Sequence, residues 1–432
     1  MKCRYFIGIF CLYVCALPVS AEPANNTPPT TIRSIRIEGN EVTEDFVILR
    51  EMSLHVGDAL SQKSLEGDRD RIYNLSLFNK VTITHTDSAG VSDLLVKVVE
   101  RWYIFPYPIL RLRSRAVNTL SYGLGVTHRN FLGRNERLSA SFSTGYDRSA
   151  SLTYQNPRLT DDDIFLRTVI QYHDAHGLDN SELAFEHVSG AASVSIGKRF
   201  GYYQTLIGTI GYQAWQVPDA SSALTVSPDG RDRFVELGLR YTYDARNVRE
   251  YPTEGWYFDA TATNDGLAGE STVRNLTLEA DVRRYIMAAD GITLAWRGFG
   301  TFVTGGPVPT YHRLFLNPRV GVRGYDWRDY TGEDLVGGSA EIRFPIVAPR
   351  FITFNFLNIY QFNTMRFGIY AALFGDVGKV WFRSDEFEEV PWLASAGIGL
   401  HFLLPYSFIL RTEVSLNALG QLRVAATGGV PF

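Results

Sequence analysis

The sequence predicts an all-β membrane protein: a 16-stranded antiparallel transmembrane β-barrel preceded by a small α+β domain. Three observations predict this class. The chain begins with a short export-like segment, no later apolar run is long enough for a spanning helix, and apolar and polar residues alternate from residue 102 onward. It is also rich in Tyr (23), Phe (27) and Gly (38), as barrel strands are. A formal net charge of −4 argues against a nucleic-acid partner.

Residues 1–21 have the organisation of a secretory signal peptide. Lys2 and Arg4 supply the positive start, 6–17 the apolar run, and the small residues 19–21 a cleavage site. All three cysteines lie inside this segment: Cys3, Cys11 and Cys15. We therefore expect an exported chain without thiols, disulfides or a cysteine-based metal site.

Residues 22–31 form a Pro/Asn/Thr-rich leader that we expect to be flexible. Residues 32–101 then predict a compact α+β domain in the order β-α-α-β-β. Its predicted elements are a strand at 32–38, a helix capped by Thr43 and ending near Glu51, a helix from Ser61, and strands at 81–87 and 93–100.

Two short motifs in this domain resemble the polypeptide-transport-associated (POTRA) family. Ile37-Glu-Gly-Asn40 matches its strand-end glycine, and Leu77-Phe-Asn-Lys-Val81 matches the segment before its second strand. The resemblance implies a periplasmic domain. It also implies an edge strand that captures unfolded clients by strand addition, at Val81, Thr82, Ile83 and Thr84.

Residues 102–432 predict the barrel. Its 16 strand candidates are 102–112, 119–130, 135–147, 149–157, 163–174, 184–199, 202–216, 232–244, 255–265, 271–287, 291–304, 336–349, 366–377, 393–403, 406–416 and 420–430. In 408–416, for example, Phe408, Leu410 and Leu416 share one face, while Arg411 and Glu413 share the other. A charged face does not suit a packed core, but it suits a wet lumen opposite a lipid-facing surface. An even strand number allows an antiparallel barrel to close. A secreted β-sandwich is the alternative that composition alone leaves open.

A long segment at 305–335 interrupts this alternation. It has no periodicity of its own and carries Arg319 and Arg323. A loop of this length inside a compact domain is usually functional or disordered. We expect it to occupy part of the lumen.

The barrel motifs resemble those of the bacterial surface antigen (BamA/TamA-like) superfamily, in that family's order. They are Asn130-Phe-Leu-Gly-Arg134, Tyr243-Asp-Ala-Arg-Asn-Val248, Pro252-Thr-Glu-Gly-Trp256, Val322-Arg-Gly-Tyr325, Gly337-Gly-Ser-Ala-Glu341, Phe344-Pro345, Phe374-Gly-Asp-Val-Gly378 and the terminal Phe432.

This resemblance implies that the segment with Arg323, Gly324 and Tyr325 folds back into the lumen. There Arg323 would pair with Glu341 and Asp376 on the next two strands. Such pairing suits a planar guanidinium fork. The resemblance also implies that a terminal aromatic residue, here Phe432, acts as a signal for assembly into the outer membrane.

No catalytic residue, metal site or cofactor is predicted. His173 and His176 have an HxxH spacing, but they end a strand ahead of a loop, and the run 161–163 reads as a polar turn. A nucleophile elbow or phosphate-binding loop is missing from the sequence.

We therefore expect an outer-membrane factor for protein assembly, insertion or translocation, with its POTRA domain in the periplasm. Its expected partners are unfolded outer-membrane or secreted polypeptides, the lipid bilayer and accessory periplasmic proteins. The barrel would gate at the seam between its first and last strands. The alternative is an outer-membrane channel or a pore of the two-partner-secretion type.

Overall fold

The structure is a computed structural model. It describes residues 30–88, 90–112, 119–176, 186–218, 224–267, 271–316, 322–325, 330–353 and 360–429. The expected signal peptide, nearly all of the leader, Arg319 and the terminal Phe432 lie outside these ranges.

The N-terminal domain has the predicted β-α-α-β-β order. Its elements are β1 (Thr31–Glu38), α1 (Asp45–Leu49), α2 (Gln62–Asn74), β2 (Phe78–Ser88) and β3 (Val91–Glu100). The sheet order is β1-β3-β2, with β1 parallel and β2 antiparallel to β3. Ile48, Ile72 and Val96 are fully buried between the helices and the sheet. The central position of β3 leaves β2 at one edge.

The start of α1 differs from its prediction. The residue before the helix is Glu44, and Thr43 caps nothing. The Thr43 hydroxyl instead donates to Glu100 Oε1 at 2.6 Å, and it accepts from Asn130 Nδ2 at 2.9 Å. A tertiary partner has outcompeted the local cap, and it ties this domain to the rest of the chain.

Sixteen strands of the described residues form one antiparallel sheet, the predicted barrel wall, in the order β21-β20-β19-β18-β17-β14-β13-β12-β11-β10-β9-β8-β7-β6-β5-β4. Their bounds are β4 (Ile104–Leu112), β5 (Leu120–Phe131), β6 (Glu136–Gly145), β7 (Arg148–Asn156), β8 (Ile164–His176), β9 (Glu186–Phe200), β10 (Gln204–Gln216), β11 (Arg231–Asp244), β12 (Gly255–Asp265), β13 (Asn275–Ala289), β14 (Ile292–Gly305), β17 (Asp334–Thr353), β18 (Thr364–Trp381), β19 (Leu393–Leu404), β20 (Phe408–Asn417) and β21 (Leu422–Gly428). A two-residue pair, β15 (Leu314–Phe315) with β16 (Thr331–Gly332), lies in the loop between β14 and β17, and a short helix, α3 (Tyr360–Asn363), precedes β18.

The two faces of the wall differ as alternation predicts. In β20, Phe408 and Leu416 are about half exposed, whereas Arg411 and Glu413 are buried. Exposed leucine and phenylalanine on the outside suit lipid, and buried charges on the inside point to a filled lumen. None of the helices in the described ranges is long and apolar enough to cross a membrane.

The first and last strands differ from the rest of the wall. β4 and β21 lie at the two ends of the sheet, and across the described residues no ladder joins them. β21 has seven residues, and most positions in both strands are exposed. We call this boundary the seam.

The described parts of the long loop fold against the inner wall. Leu316, Val322 and Tyr325 are buried together with wall residues, among them Phe299 of β14 and Val380 of β18. This small apolar cluster holds the loop inside the barrel at the end opposite the N-terminal domain.

Candidate functional site

Three neighbouring parts of the inner wall present carboxylates to the lumen. Asp376 on β18 pairs in register with Ser339 on β17, so it lies diagonally next to Glu341. Glu413 lies on β20, and all three carboxylates are almost completely buried. Buried charges of one sign are costly unless a cation meets them. The long loop supplies that cation.

Arg323 reaches all three carboxylates. Its Nε and Nη2 donate to the two oxygens of Asp376 at 2.7 and 2.8 Å, and its backbone N–H donates to the same group at 3.0 Å. Its Nη1 donates to Glu341 at 3.1 Å and to Glu413 at 2.9 Å. The guanidinium carbon also lies 3.5 Å from the centre of the Phe374 ring. We call Arg323, Glu341, Asp376 and Glu413 the Arg323 network.

Gly324 and Tyr325 hold the same turn of the loop. Gly324 has a φ of +90°, and a Cβ there would lie 3.0 Å from Ser415 Oγ. Its carbonyl accepts from Asn417 Nδ2 at 2.9 Å. The Tyr325 hydroxyl donates to the Ala394 carbonyl at 2.9 Å. The loop is therefore fastened to β18, β19 and β20 by backbone and side-chain bonds.

Sequence reasoning missed Glu413 as a partner of Arg323. The resemblance pointed to carboxylates on the next two strands along the chain, and Glu413 lies on the fourth. A signal was present, because Glu413 has the parity of the lumenal face of β20. The curvature of the wall brings the Glu413 carboxylate to the loop, and this proximity cannot be derived from residue spacing.

A second layer of charges surrounds the network. Arg343 Nε donates to Glu341 at 2.7 Å, Arg411 Nη1 donates to Glu413 at 3.2 Å, and His401 lies between the two glutamates. The groups of Glu341, His401 and Glu413 approach one another closely enough to bind a metal ion. However, three guanidiniums already balance the three carboxylates. The arrangement fits an internal ion-pair network better than a cation site.

The turn between β11 and β12 meets this layer from the other side. The Tyr251 hydroxyl is 2.8 Å from His401 Nδ1, and the Pro252 carbonyl accepts from Arg343 at 3.2 Å. The neighbouring Glu250 accepts from the Tyr73 hydroxyl of α2 at 2.7 Å. Burial, followed by the charge of Glu250, raises the pKa of Tyr73 to about 12. Polar contacts thus run from the long loop to the N-terminal domain.

The N-terminal domain covers the mouth of the barrel opposite the long loop. It contacts the turns that precede β6, β10, β12, β18 and β20. The contacts include Glu44 N–H to the Gly133 carbonyl (3.0 Å), Arg199 to Glu51 (2.7 and 2.8 Å), Asn74 Nδ2 to the Asn247 carbonyl (2.7 Å), Asn79 Nδ2 to the Gln361 carbonyl (2.6 Å) and Arg101 to Ser407 (2.9 Å).

The predicted client-binding residues lie at the β2 edge, but not all are open. Val81 is buried, Thr82 and Ile83 are half-buried, and Thr84 is exposed. The start of β2 also faces the barrel, where Lys80 lies 5.5 Å from the centre of the Phe351 ring. The open part of this edge therefore begins at Thr84.

Comparison with protein families agrees with this architecture. The model of the Omp85 superfamily domain matches residues 130–415, more than half of the chain. The chain belongs to the Omp85 superfamily. A second model, the surface antigen variable number repeat of the POTRA type, matches residues 30–101, so the N-terminal domain is a POTRA domain.

This Omp85 chain is similar to two curated proteins, each named outer membrane protein assembly factor BamA. It is 24% identical to that of Nitratidesulfovibrio vulgaris over 375 residues, which are 82% of this chain and 44% of the relative. It is 24% identical to that of Neorickettsia risticii over 419 residues, which are 90% of this chain and 53% of the relative. The chain spans about half the length of these curated relatives.

Solved structures show the same fold. BamA from Haemophilus ducreyi lacking POTRA domains 1–3 matches with a TM-score of 0.56 and 19% identity, covering 92% of this chain and 84% of that chain. CdiB from Escherichia coli matches with a TM-score of 0.55 and 13% identity, covering 93% and 76%.

Proposed function

We propose that this Omp85 chain is an outer-membrane assembly factor that inserts client β-strands through its seam. The observation that carries the proposal is the placement of a POTRA domain with an open strand edge across one mouth of a barrel whose end strands share no ladder among the described residues. The curated relatives, both named outer membrane protein assembly factor, support the same class of activity.

Client capture is assigned to β2. An edge strand offers unpaired N–H and C=O groups, so an extended segment adds to it by backbone hydrogen bonds without a sequence requirement. A groove of about 380 Å³ separates the start of β2 from Pro349 and Phe351 of β17. A client that adds from Thr84 onward is thereby held at the rim of the barrel. Unfolded outer-membrane polypeptides are the clients of this scheme, and secreted ones belong to the pore alternative.

Gating is assigned to the seam. Pro106 and Pro108 lie in β4, and proline is tolerated in a sheet where its nitrogen faces away from a neighbouring ladder. The two are two residues apart, so they face the same side. If both proline nitrogens face the seam, any pairing of β4 with β21 lacks two backbone hydrogen-bond donors. This lowers the free-energy cost of opening the seam.

The Arg323 network is assigned the role of keeping the loop in one position. It joins the loop to β17, β18 and β20, but not to β21. The wall beside the seam is thereby stiffened while the last strand stays outside the network. We infer that the loop keeps the lumen closed while the seam opens.

A secretion pore is the second candidate. The lumen contains a cavity of about 620 Å³ just above the POTRA domain, and its lining residues include Arg167, Arg240 and Thr261. A wet, polar path of this kind suits an extended chain passing through the lumen. It would require displacement of both the loop and the POTRA domain.

The test places the full chain in liposomes and supplies an unfolded outer-membrane β-barrel as client. A photo-cross-linking residue at Thr84 should capture the client, whereas the same residue at Arg36, exposed on β1 at the opposite edge, should not. Folded client should accumulate faster than in empty liposomes. Equal capture at both positions contradicts the assignment of client capture to the β2 edge. Ion conductance without client insertion would favour the pore.

A further inference from the structure

A strongly basic cavity lies between the POTRA domain and the barrel mouth. It has a volume of about 310 Å³, and it is enclosed by the ends of α1 and α2 together with the turns before β6, β8, β10 and β12. Eight arginines line it, against two carboxylates, Glu51 and Asp244. The concentration of one sign of charge distinguishes it from the Arg323 network, where the charges balance.

Both carboxylates of the cavity are already engaged. Glu51 accepts both donors of Arg199 at 2.7 and 2.8 Å, and Asp244 accepts from Arg246 at 2.7 Å, with Arg249 at 2.9 Å. Arg71 pairs with Asp68, and Arg158 Nε pairs with Asp163, both carboxylates lying outside the lining of the cavity. Among the described residues, Arg50, Arg129 and Arg137 form no such ion pair. Three guanidiniums from different elements therefore face the cavity without a counter-charge.

Several donors at the cavity are buried and unsatisfied. Within the part of the chain that the structure describes, Arg50 Nε, Arg129 Nε and Arg158 Nη1 have no hydrogen-bond partner. Such groups are rare and costly in folded proteins unless a ligand or water meets them. Burial, opposed by Glu51 and helped by the charges of Arg158 and Arg199, lowers the pKa of Arg50 to about 10. One donor comes from α1's end and two from the barrel.

We propose that this cavity binds a phosphate group, free or as part of a lipid headgroup, through Arg50, Arg129 and Arg158. Arginine forks match phosphate oxygens in charge and in planar geometry. The cavity of about 310 Å³ has room for a phosphate group beside these three guanidiniums. A phosphate held here would bridge the POTRA domain to the barrel and so tighten their docking.

The test uses the full chain in detergent micelles and isothermal titration with sodium phosphate, against sodium chloride of equal ionic strength. We expect saturable binding to phosphate alone. Arg50→Gln and Arg129→Gln should each weaken it by about tenfold or more, since each removes a charge-assisted bond. The control is Arg36→Gln, an equal charge loss on β1 far from the cavity, which should bind as the parent does.

Unliganded thermal unfolding shows whether the variants fold. Arg129→Gln should unfold near the parent's temperature, because the loss of the contact between Arg129 and the Phe105 ring at 4.9 Å is offset by the relief of repulsion among the cavity arginines. A large fall in that temperature would mean that Arg129 has a structural partner, and it would overturn the proposal. So would equal heats for phosphate and chloride, or parent-like binding in both cavity variants.

A second arm separates the two phosphate sources. Soluble dihexanoyl phosphatidic acid should bind with the same arginine dependence as inorganic phosphate. Tighter binding of the lipid by tenfold or more would support a headgroup as the ligand, and equal binding would support free phosphate. Binding of a penta-glutamate peptide without binding of either phosphate would contradict the proposal in favour of an acidic segment.

Discussion

At the scale of single residues, the loop is attached to the wall through Arg323, which among the described residues of the loop is the one that pairs with three buried carboxylates. A buried ion pair contributes little to stability when complete, since desolvation offsets attraction. Removal of one partner is costly because the remaining charges stay buried. We therefore propose that the network holds the loop in place.

Arg323→Ala should leave the barrel folded and release the loop. Asp376 then loses the cation that it binds, while Glu341 and Glu413 keep only Arg343 and Arg411. The closed position of the loop should lose about 3–5 kcal/mol of stability, so proteolysis within 305–335 should become much faster. Limited proteolysis in micelles measures this. Arg240→Ala is the matched control, because Arg240 also lies on the lumenal wall and pairs with Asp259. Unchanged cleavage in the Arg323 variant would argue against the network's role.

Gly324→Ala tests the close approach of the loop to the wall. The substitution meets both a positive φ and contact with Ser415, so it should speed loop cleavage and destabilise the closed loop by about 1–3 kcal/mol. Gly420→Ala is the comparison, since Gly420 has a φ of +76° but open space around its Cβ position. Equal effects of the two substitutions would mean that backbone strain alone matters.

Prediction from sequence reached part of this site. Arg323, Glu341 and Asp376 could be proposed because short motifs carry a family resemblance. Glu413, Arg343, His401 and Tyr251 could not, since their meeting depends on barrel curvature and on an inward-folded turn. The prediction that Thr43 caps a helix was wrong for a similar reason. Local spacing predicts a cap, but the Thr43 hydroxyl donates to Glu100 in the structure.

At the scale of elements, the POTRA helices dock on the barrel through Glu51 and Arg199. Burial would raise the pKa of Glu51, but the hydrogen bonds and charge of Arg199 outweigh it and the pKa is lowered. A lowered folded pKa means that the pair stabilises docking above the ordinary glutamate pKa of about 4.3. That stabilisation is lost as the pH falls through the folded value.

Spin labels at Lys63 on α2 and Thr160 in the turn before β8 would measure this docking. Their distance should stay constant from neutral pH to about pH 5 and broaden below about pH 4.3. Glu51→Gln should broaden it at neutral pH. Glu66→Gln, an exposed position on α2, is the control. If the distance between the two spin labels changes neither at acidic pH nor in the Glu51→Gln variant, the result would contradict a role of Glu51 in docking.

The C-terminal strand carries a separate prediction. Phe432 shares the parity of Leu422 and Val424, so deleting it should reduce the amount of barrel assembled in the outer membrane. The heat stability of barrels that do assemble should hardly change, because only one residue is lost. Val424→Ala removes an outward side chain from the same strand and should leave assembly normal. Normal assembly of the truncated chain would refute the signal.

The strands themselves were predictable because alternation repeats with turn residues between them. All 16 wall strands appear within a few residues of their expected positions, and the long loop interrupts them where periodicity fails. The inward turn before β12 was not predictable. Its Tyr251 and Pro252 contacts with the wall depend on the whole barrel.

At the scale of the molecule, the lumen is covered twice. The long loop is fastened from one end through Arg323, and the POTRA domain covers the other end, with Tyr251 and Glu250 between them. These attachments fall on β17, β18, β20 and the turns, while β4 and β21 carry few of them. We propose that the seam is the part of the wall that opens.

The most direct measurement bridges the seam. Cysteines at Leu110 of β4 and Val424 of β21, both exposed on the lipid side, are joined by a reducible bifunctional thiosulfonate, and client insertion into liposomes is followed. A bridge between Val414 and Val424, ladder partners within the wall, is the control. We predict that the seam bridge blocks insertion, that reduction restores it and that the control bridge does neither. Undiminished insertion through a fully bridged seam would contradict the account.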